Sequence, residues 1–284
     1  LKLLPLNSVP QEYAILLSDL FCDEGFLSGA GPERITIDCR DVPETTLYCS
    51  EDALNALRMR LAGVPARGLH WIDSGDYHYM TALFLEKIRE PFDLLLFDHH
   101  PDDQPLAFEA PGMLSCGSWV AYSRRENSFL KNVISVGPSS NDLPVGFFGT
   151  AGGSSCDLPH YTPAPLYSGD EPELSRGYTE SQRGCSRTDR ATLASRVEDC
   201  VSVLPLYVSI DLDVLSADEF STDWDQGTMR FGELLSLLRA ASKGRRILGI
   251  DVCGGLSRSK GATDSSLSTN LLLRESLRSF LAAF

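Results

Sequence analysis

Short apolar runs alternate with longer amphipathic ones along this chain. Residues 35–39 (Ile-Thr-Ile-Asp-Cys) read as a first strand. Ser50-Glu51-Asp52 offers a helix N-cap followed by early acids, and 51–62 has helical spacing through Leu54, Leu57 and Leu61. Leu69 to Ile72 is a second strand, with a helix expected over about 79–89. Asp93 to Phe97 (Asp-Leu-Leu-Leu-Phe) is a continuous apolar run, the signature of a strand covered on both faces. Val133–Val136, Leu206–Ile210 and Ile247–Ile250 have the same character, and helices fit about 230–242 and 264–282. Strands alternating with helices predict an α/β protein: a three-layer αβα sandwich around a central, mostly parallel sheet.

The stretch at about 138–200 breaks this rhythm. It is rich in Gly, Pro and Ser, including Gly152-Gly153-Ser154-Ser155 and Thr162-Pro163-Ala164-Pro165. It reads as an irregular surface insertion into one domain spanning 1–284; the functional alternative is a wall for a pocket at the strand ends. No linker separates a second domain, and there is no internal repeat.

Composition narrows the function. The chain has 284 residues, enough to bury an ordinary core without disulfide staples. Against 25 Lys+Arg stand 39 Asp+Glu, a net charge of −14. With no basic surplus to neutralise phosphates, nucleic-acid binding is not expected. An anionic membrane surface is disfavoured for the same reason, and no apolar run approaches the roughly 20 residues of a membrane-spanning helix. The opening Leu1-Lys2-Leu3-Leu4-Pro5-Leu6 lacks the length and cleavage site of a signal peptide. Eight cysteines without a Cys-x-x-Cys pair suggest reduced thiols, so the expected compartment is the cytoplasm.

In open α/β sheets, ligands bind beyond the carboxyl ends of the strands. The run ending at Phe97 is followed by Asp98-His99-His100-Pro101-Asp102-Asp103, and the run ending at Ile210 by Asp211-Leu212-Asp213. The strand at 69–72 is followed by Asp73-Ser74-Gly75-Asp76-Tyr77-His78. In an extended segment residues two apart face the same way, so Asp98, His100 and Asp102 are expected on one side, and Asp211 with Asp213. Carboxylates on one face repel unless a cation lies between them, and one or two divalent metals would resolve this. Mixed carboxylate and imidazole ligands suit Mn²⁺, Fe²⁺ or Zn²⁺, with a carboxylate-dominated set leaning toward Mn²⁺.

These motifs resemble those of the arginase/agmatinase (ureohydrolase) family: Gly-Gly-Asp-His, Asp-x-His-x-Asp and Ser-x-Asp-x-Asp. The second stands complete as Asp98-His99-His100-Pro101-Asp102 and the third as Ser209-Ile210-Asp211-Leu212-Asp213. The first is altered, since Gly75-Asp76-Tyr77-His78 keeps the His and displaces the Asp. Gly227-Thr228 resembles the family's later Gly-Thr, and Ile250-Asp251-Val252 its Leu-Asp-Ile strand. The resemblance implies an arginase-like fold and two divalent metals. One would be held by His78, Asp98, Asp102 and Asp211, the other by His100, Asp98, Asp211 and Asp213. It further implies that a hydroxide between metals about 3.5–4 Å apart attacks a guanidino, formimino or amide carbon. Asp102 would orient that nucleophile and pass its proton to the departing nitrogen. A small-molecule substrate follows, and so does a homo-oligomer, since family members often form trimers or hexamers.

The substrate side departs from the pattern. The family carries a guanidinium-gripping Glu three residues after the Asp of the late strand; here that position is Gly254. The loop Met113-Leu114-Ser115-Cys116-Gly117-Ser118-Trp119 has no His where arginases have one. Two other readings are therefore carried: a degenerate homologue that keeps fold and metals, and a deacetylase-like hydrolase with one Zn²⁺ on Asp98, His100 and Asp211. The second lacks the adjacent upstream His pair such enzymes use. Among the remaining candidates, His99 is expected to turn toward the sheet or a backbone carbonyl. Asp223 and Asp225 are spare carboxylates, either solvated loop acids or contacts for a cationic group, and His70 and His160 are structural. Cys116 and Cys253 are expected to be buried small hydrophobes.

Overall fold

The computed structural model describes residues 11–28, 34–104, 113–137 and 203–282. The expected insertion at 138–200, with His160, lies outside the described residues. Its centre is a seven-stranded sheet in the order β2-β1-β4-β9-β8-β5-β7, with every neighbouring pair parallel. The strands are β1 (Glu12–Leu16), β2 (Ile35–Asp38), β4 (Leu69–Ile72), β5 (Phe92–Phe97), β7 (Leu130–Val136), β8 (Leu206–Asp211) and β9 (Ile247–Cys253). A separate antiparallel pair joins β3 (Tyr48–Cys49) to β6 (Leu114–Ser115).

The apolar runs are continuous because both faces of the sheet are covered. Along β5, Leu95 and Phe97 join one core cluster while Leu94 and Leu96 join the other. The first cluster is closed by α5 (Phe231–Ser242) and α6 (Asp264–Leu281). The second is closed by α2 (Glu51–Arg60), α3 (Met80–Leu85) and α4 (Trp119–Glu126). The short α1 (Leu20–Asp23) adds Leu20 and Phe21 to the first. This is the expected three-layer αβα sandwich.

Local chemistry explains the elements. In α2, Ser50 accepts the Ala53 N–H at 3.2 Å as an N-cap, and Ala53, Leu54 and Leu57 face the core. In α5, Leu234, Leu237, Leu238 and Ala241 fall at i, i+3, i+4 and i+7, the stripe of a helix lying on a sheet. The expected helix at 79–89 is shorter, Met80–Leu85, with a 3₁₀ turn over Gly75–Tyr77 before it. The strand expected first, at 35–39, is second. β1 precedes it with Glu12 buried inside, paired at 2.7 Å with Arg278 of α6.

β4, β9, β8 and β5 are consecutive neighbours at the middle of the sheet. Their carboxyl ends therefore open side by side, and the loops leaving them share one crevice.

Candidate metal centre

Asp98 follows β5, and its Oδ1 accepts the His100 backbone N–H at 2.6 Å. That bond folds the segment into a turn, and Asp102 takes a left-handed φ of 47°. The expectation of one extended face is thus corrected. Asp98 and Asp102 converge on His78, whereas the His100 ring departs toward Asp213, with Nδ1 to Oδ2 at 2.9 Å. Asp211 and Asp213 are likewise placed by a turn: Asp211 Oδ1 accepts the Asp213 N–H at 2.9 Å, opening the 3₁₀ turn Leu212–Val214.

The six sequence-predicted residues meet in one cluster at the crevice. His78 Nδ1 lies 3.1 Å from Asp98 Oδ2, 3.0 Å from Asp102 Oδ2 and 3.6 Å from Asp211 Oδ2. His78, Asp98 and Asp102 form one group with metal-ligand spacing; Asp98, His100 and Asp213 form another. Asp98 is common to both. All but His100 are buried. A cleft of ≈ 610 Å³ opens over them, with Leu47, Tyr48, Gln104, Cys116 and Trp224 in its wall.

The far side of His78 is built as carefully as the near side. Its Nε2 lies 2.9 Å from Ser209 Oγ, and Ser209 donates its hydroxyl to Asp251 Oδ1 at 2.5 Å. Thr81 donates to the same oxygen at 3.1 Å. Ser209 has a single proton and gives it to Asp251, so toward His78 it accepts. The neutral ring then carries its proton on Nε2, and the Nδ1 lone pair faces the carboxylates. His78 Nδ1 and Asp98 Oδ2 are buried without a hydrogen-bond partner. A cation between them would satisfy both, so the residues present fit the metals that the motifs imply.

The electrostatics agree. Burial, then the neighbouring carboxylates, hold Asp211 and Asp213 above the usual carboxylate range. Burial opposes charge on His100, but hydrogen bonds to Asp213 and Asp98 and their charges raise it to about 12. Burial likewise opposes charge on His78, but the thiol and carboxylates around it outweigh this and raise it well above its ordinary value. Without a metal, protons supply the positive charge that the cluster demands.

Several contacts had no sequence signal. Trp119 donates its indole N–H to Asp102 Oδ2 at 2.6 Å, and its ring stands 4.9 Å from that of His78. Cys253 ends β9 and donates its thiol to Asp211 Oδ2 at 3.0 Å, so it is more than an apolar filler. Asp225 meets both His100 (3.1 Å) and His99 (3.5 Å), which overturns the expected inward turn of His99. Asp223 pairs with Lys260 at 3.4 Å, and Asp103 with Arg124 at 2.7 Å. The displaced Asp76 accepts the Trp224 indole N–H at 3.1 Å and stays outside the cluster. His70 is structural as expected: its ring stacks between Tyr13 and Phe84, and Nε2 donates to the Pro65 carbonyl at 3.0 Å.

Gly254, where the family's Glu would stand, has a left-handed φ of 98°. A Cβ there would lie 2.7 Å from Asp211 Oδ1 and 3.0 Å from the Leu212 nitrogen. Its carbonyl accepts Arg274 Nη2 at 2.7 Å, and Arg274 is fully buried against Glu24 at 2.8 Å.

The chain has the arginase-like αβα fold of the ureohydrolases. Arginase from Bacillus subtilis superposes with a TM-score of 0.59 at 13% identity, covering 96% of this chain and 98% of the arginase. Formiminoglutamase from Trypanosoma cruzi, solved with Mn²⁺, gives 0.60 at 12% identity over 96% and 93%. In sequence, an uncharacterised protein of Thermotoga maritima is 26% identical over 187 residues, or 66% of this chain; the match spans 58% of that relative's length. No family model matches. No described helix is long and apolar enough to cross a membrane.

Proposed function

We propose that this chain, as a single arginase-like domain, is a hydrolase of C–N bonds in a guanidino, formimino or amide-type small molecule, working with two divalent metal ions. The observation that carries this is the pair of ligand groups sharing Asp98, with the buried, unpartnered His78 Nδ1 and Asp98 Oδ2 inside them. His78, Asp98, Asp102 and Asp211 would hold the inner ion. His100, Asp98, Asp211 and Asp213 would hold the outer one. Most of these ligands are hard carboxylates, which favours Mn²⁺, the ion found in the Trypanosoma cruzi enzyme. When bound, the ions supply Lewis acidity and make a water acidic enough to attack near neutral pH.

The chain's own groups do the rest. Asp102 faces the cleft with one carboxylate oxygen fixed by Trp119, so it can accept a proton from the attacking water and return it to the leaving nitrogen. Ser209 and Asp251 hold the His78 ring so that Nδ1 faces inward. Tyr48 and Trp224 add aromatic surface to the cleft wall, against which a substrate would pack.

The decisive experiment measures metal content after Mn²⁺ loading, then turnover on a panel of guanidino, formimino and amide compounds. About two ions per chain are expected, with one lost in Asp213→Ala. A chain that binds no metal in excess Mn²⁺ overturns the proposal. Gly254 supports a second reading, a homologue that keeps the metals without turnover; metal-dependent hydrolysis of any compound in the panel rejects it.

A further inference from the structure

We infer that Cys253 is a ligand of the inner metal position and makes that position select a thiophilic ion such as Zn²⁺, Co²⁺ or Fe²⁺ over Mn²⁺. The inference rests on the proposed metal centre and changes its metal at one of the two positions.

Cys253 is the last residue of β9 and the register partner of Asp211, the last residue of β8. Two adjacent parallel strands thus deliver a thiol and a carboxylate to the same depth of the crevice, and Sγ stands 3.0 Å from Asp211 Oδ2. Donor atoms of His78, Asp211 and Cys253 all lie within 4.8 Å of one another, a third group with ligand spacing. That group shares His78 with the group of Asp98 and Asp102, and Asp211 with the ligands proposed for the inner ion.

The independent observation is the orphaned pair already described. His78 Nδ1 and Asp98 Oδ2 point into this space, fully buried and without partners. A cysteine kept only to fill volume would turn its sulfur toward carbon. This one, with no exposed surface, turns it toward an imidazole and a carboxylate. On metal binding the S–H bond is lost, its proton leaves to solvent, and the sulfur lone pair is given to the ion. Thiolate is a soft donor, and one such ligand beside imidazole and carboxylates shifts preference away from Mn²⁺. The outer group of Asp98, His100 and Asp213 has no sulfur and keeps its preference for a harder ion.

Cobalt reports the bond directly. Metal-free wild-type protein is titrated with Co²⁺ alone and followed in the near ultraviolet, where a sulfur-to-cobalt charge-transfer band is expected. Cys253→Ser should lose the band while still binding cobalt, and Cys116→Ser should keep it. In competition, the Zn²⁺-over-Mn²⁺ preference of the wild type should exceed that of Cys253→Ser by about tenfold or more. Should the serine variant fail to fold, X-ray absorption on cobalt-loaded Cys116→Ser still reads whether sulfur lies in the ion's first shell. Cobalt bound with no sulfur band and no sulfur scatterer overturns the inference and leaves the metal centre standing. No cobalt bound overturns both.

Discussion

Trp119 donates its indole N–H to Asp102 Oδ2 at 2.6 Å, from the first turn of α4 into the heart of the carboxylate cluster. Hydrogen bonds to charged acceptors contribute about 1.5–3 kcal/mol. Trp119→Phe keeps most of the ring and removes the donor. The expected result is a loss of about 1.5–3 kcal/mol in denaturant unfolding. Turnover should fall roughly 10–100-fold with little change in KM, because Asp102 is displaced while Trp119 itself lies outside the cleft lining. An unchanged kcat would remove Asp102 from the proton-transfer role.

Ser209 sets the tautomer of His78. Ser209→Ala strips Nε2 of its acceptor and leaves buried Asp251 with one fewer donor. Metal affinity, measured by calorimetric titration, should drop roughly 10–100-fold. Thr81→Val also touches Asp251 and spares Nε2, so it should weaken binding less. Equal losses in the two variants would mean that Asp251, and not the His78 contact, carries the effect.

His70 gives the protein an acid-sensitive term away from the site. Burial holds its pKa down at about 3 against an ordinary 6.5. The groups that touch it are Tyr13, Phe84, the Tyr207 hydroxyl, the Pro65 and Ile250 carbonyls and the Lys87 ammonium, and Asp251, its register partner on β9, is held by the same Tyr207 hydroxyl. Above the ordinary value neither state is protonated there. Below it the unfolded chain takes up a proton that the native ring refuses, so stability falls as pH falls, by up to about 1.4 kcal/mol per pH unit. His70→Phe should flatten the stability profile between 6.5 and the onset of acid unfolding, measured on metal-free protein. Parallel profiles for the two proteins would refute this.

Arg274 and Glu24 form an ion pair with no exposed side-chain surface. Removing one partner leaves a buried, uncompensated charge. Arg274→Leu should cost about 3–5 kcal/mol, and adding Glu24→Leu should recover much of it. A double variant no better than the single would mean that the bond from Arg274 to the Gly254 carbonyl, rather than the charge balance, is what matters.

The sequence exposes the centre of this protein better than its edges. β5 and β8 are readable because burial on both faces leaves unbroken apolar runs, and the acids that follow them stand out by contrast. β1 is missed because Tyr-Ala-Ile-Leu is equally compatible with a helix, and its buried Glu12 reads as polar punctuation until Arg278 is brought beside it from the far end of the chain. All six predicted site residues reach one cluster, but for a reason that alternation does not contain. The Asp98–His100 backbone bond and the left-handed Asp102 send consecutive ligands to different groups. Trp119 and Asp225 sit on a helix and a loop that follow the motifs and carry no motif of their own, and Cys253 is placed only by the strand order. A buried cysteine one strand-pair away from an aspartate looks like any other core residue until the register is known.

Gly254 occupies the position where the resembling family carries its guanidinium-gripping Glu. Its left-handed backbone, its contact with Asp211 and its carbonyl bond to Arg274 make the turn a piece of main-chain architecture into which no side chain fits. Gly254→Glu should lower stability by about 1–3 kcal/mol from backbone strain alone and yield no arginine hydrolysis; measurable turnover of arginine would refute it. The path of the chain itself fills this corner: a side chain at 254 would have to displace Asp211 and Leu212 while the carbonyl stays tied to Arg274, so the turn and its arginine act as one unit.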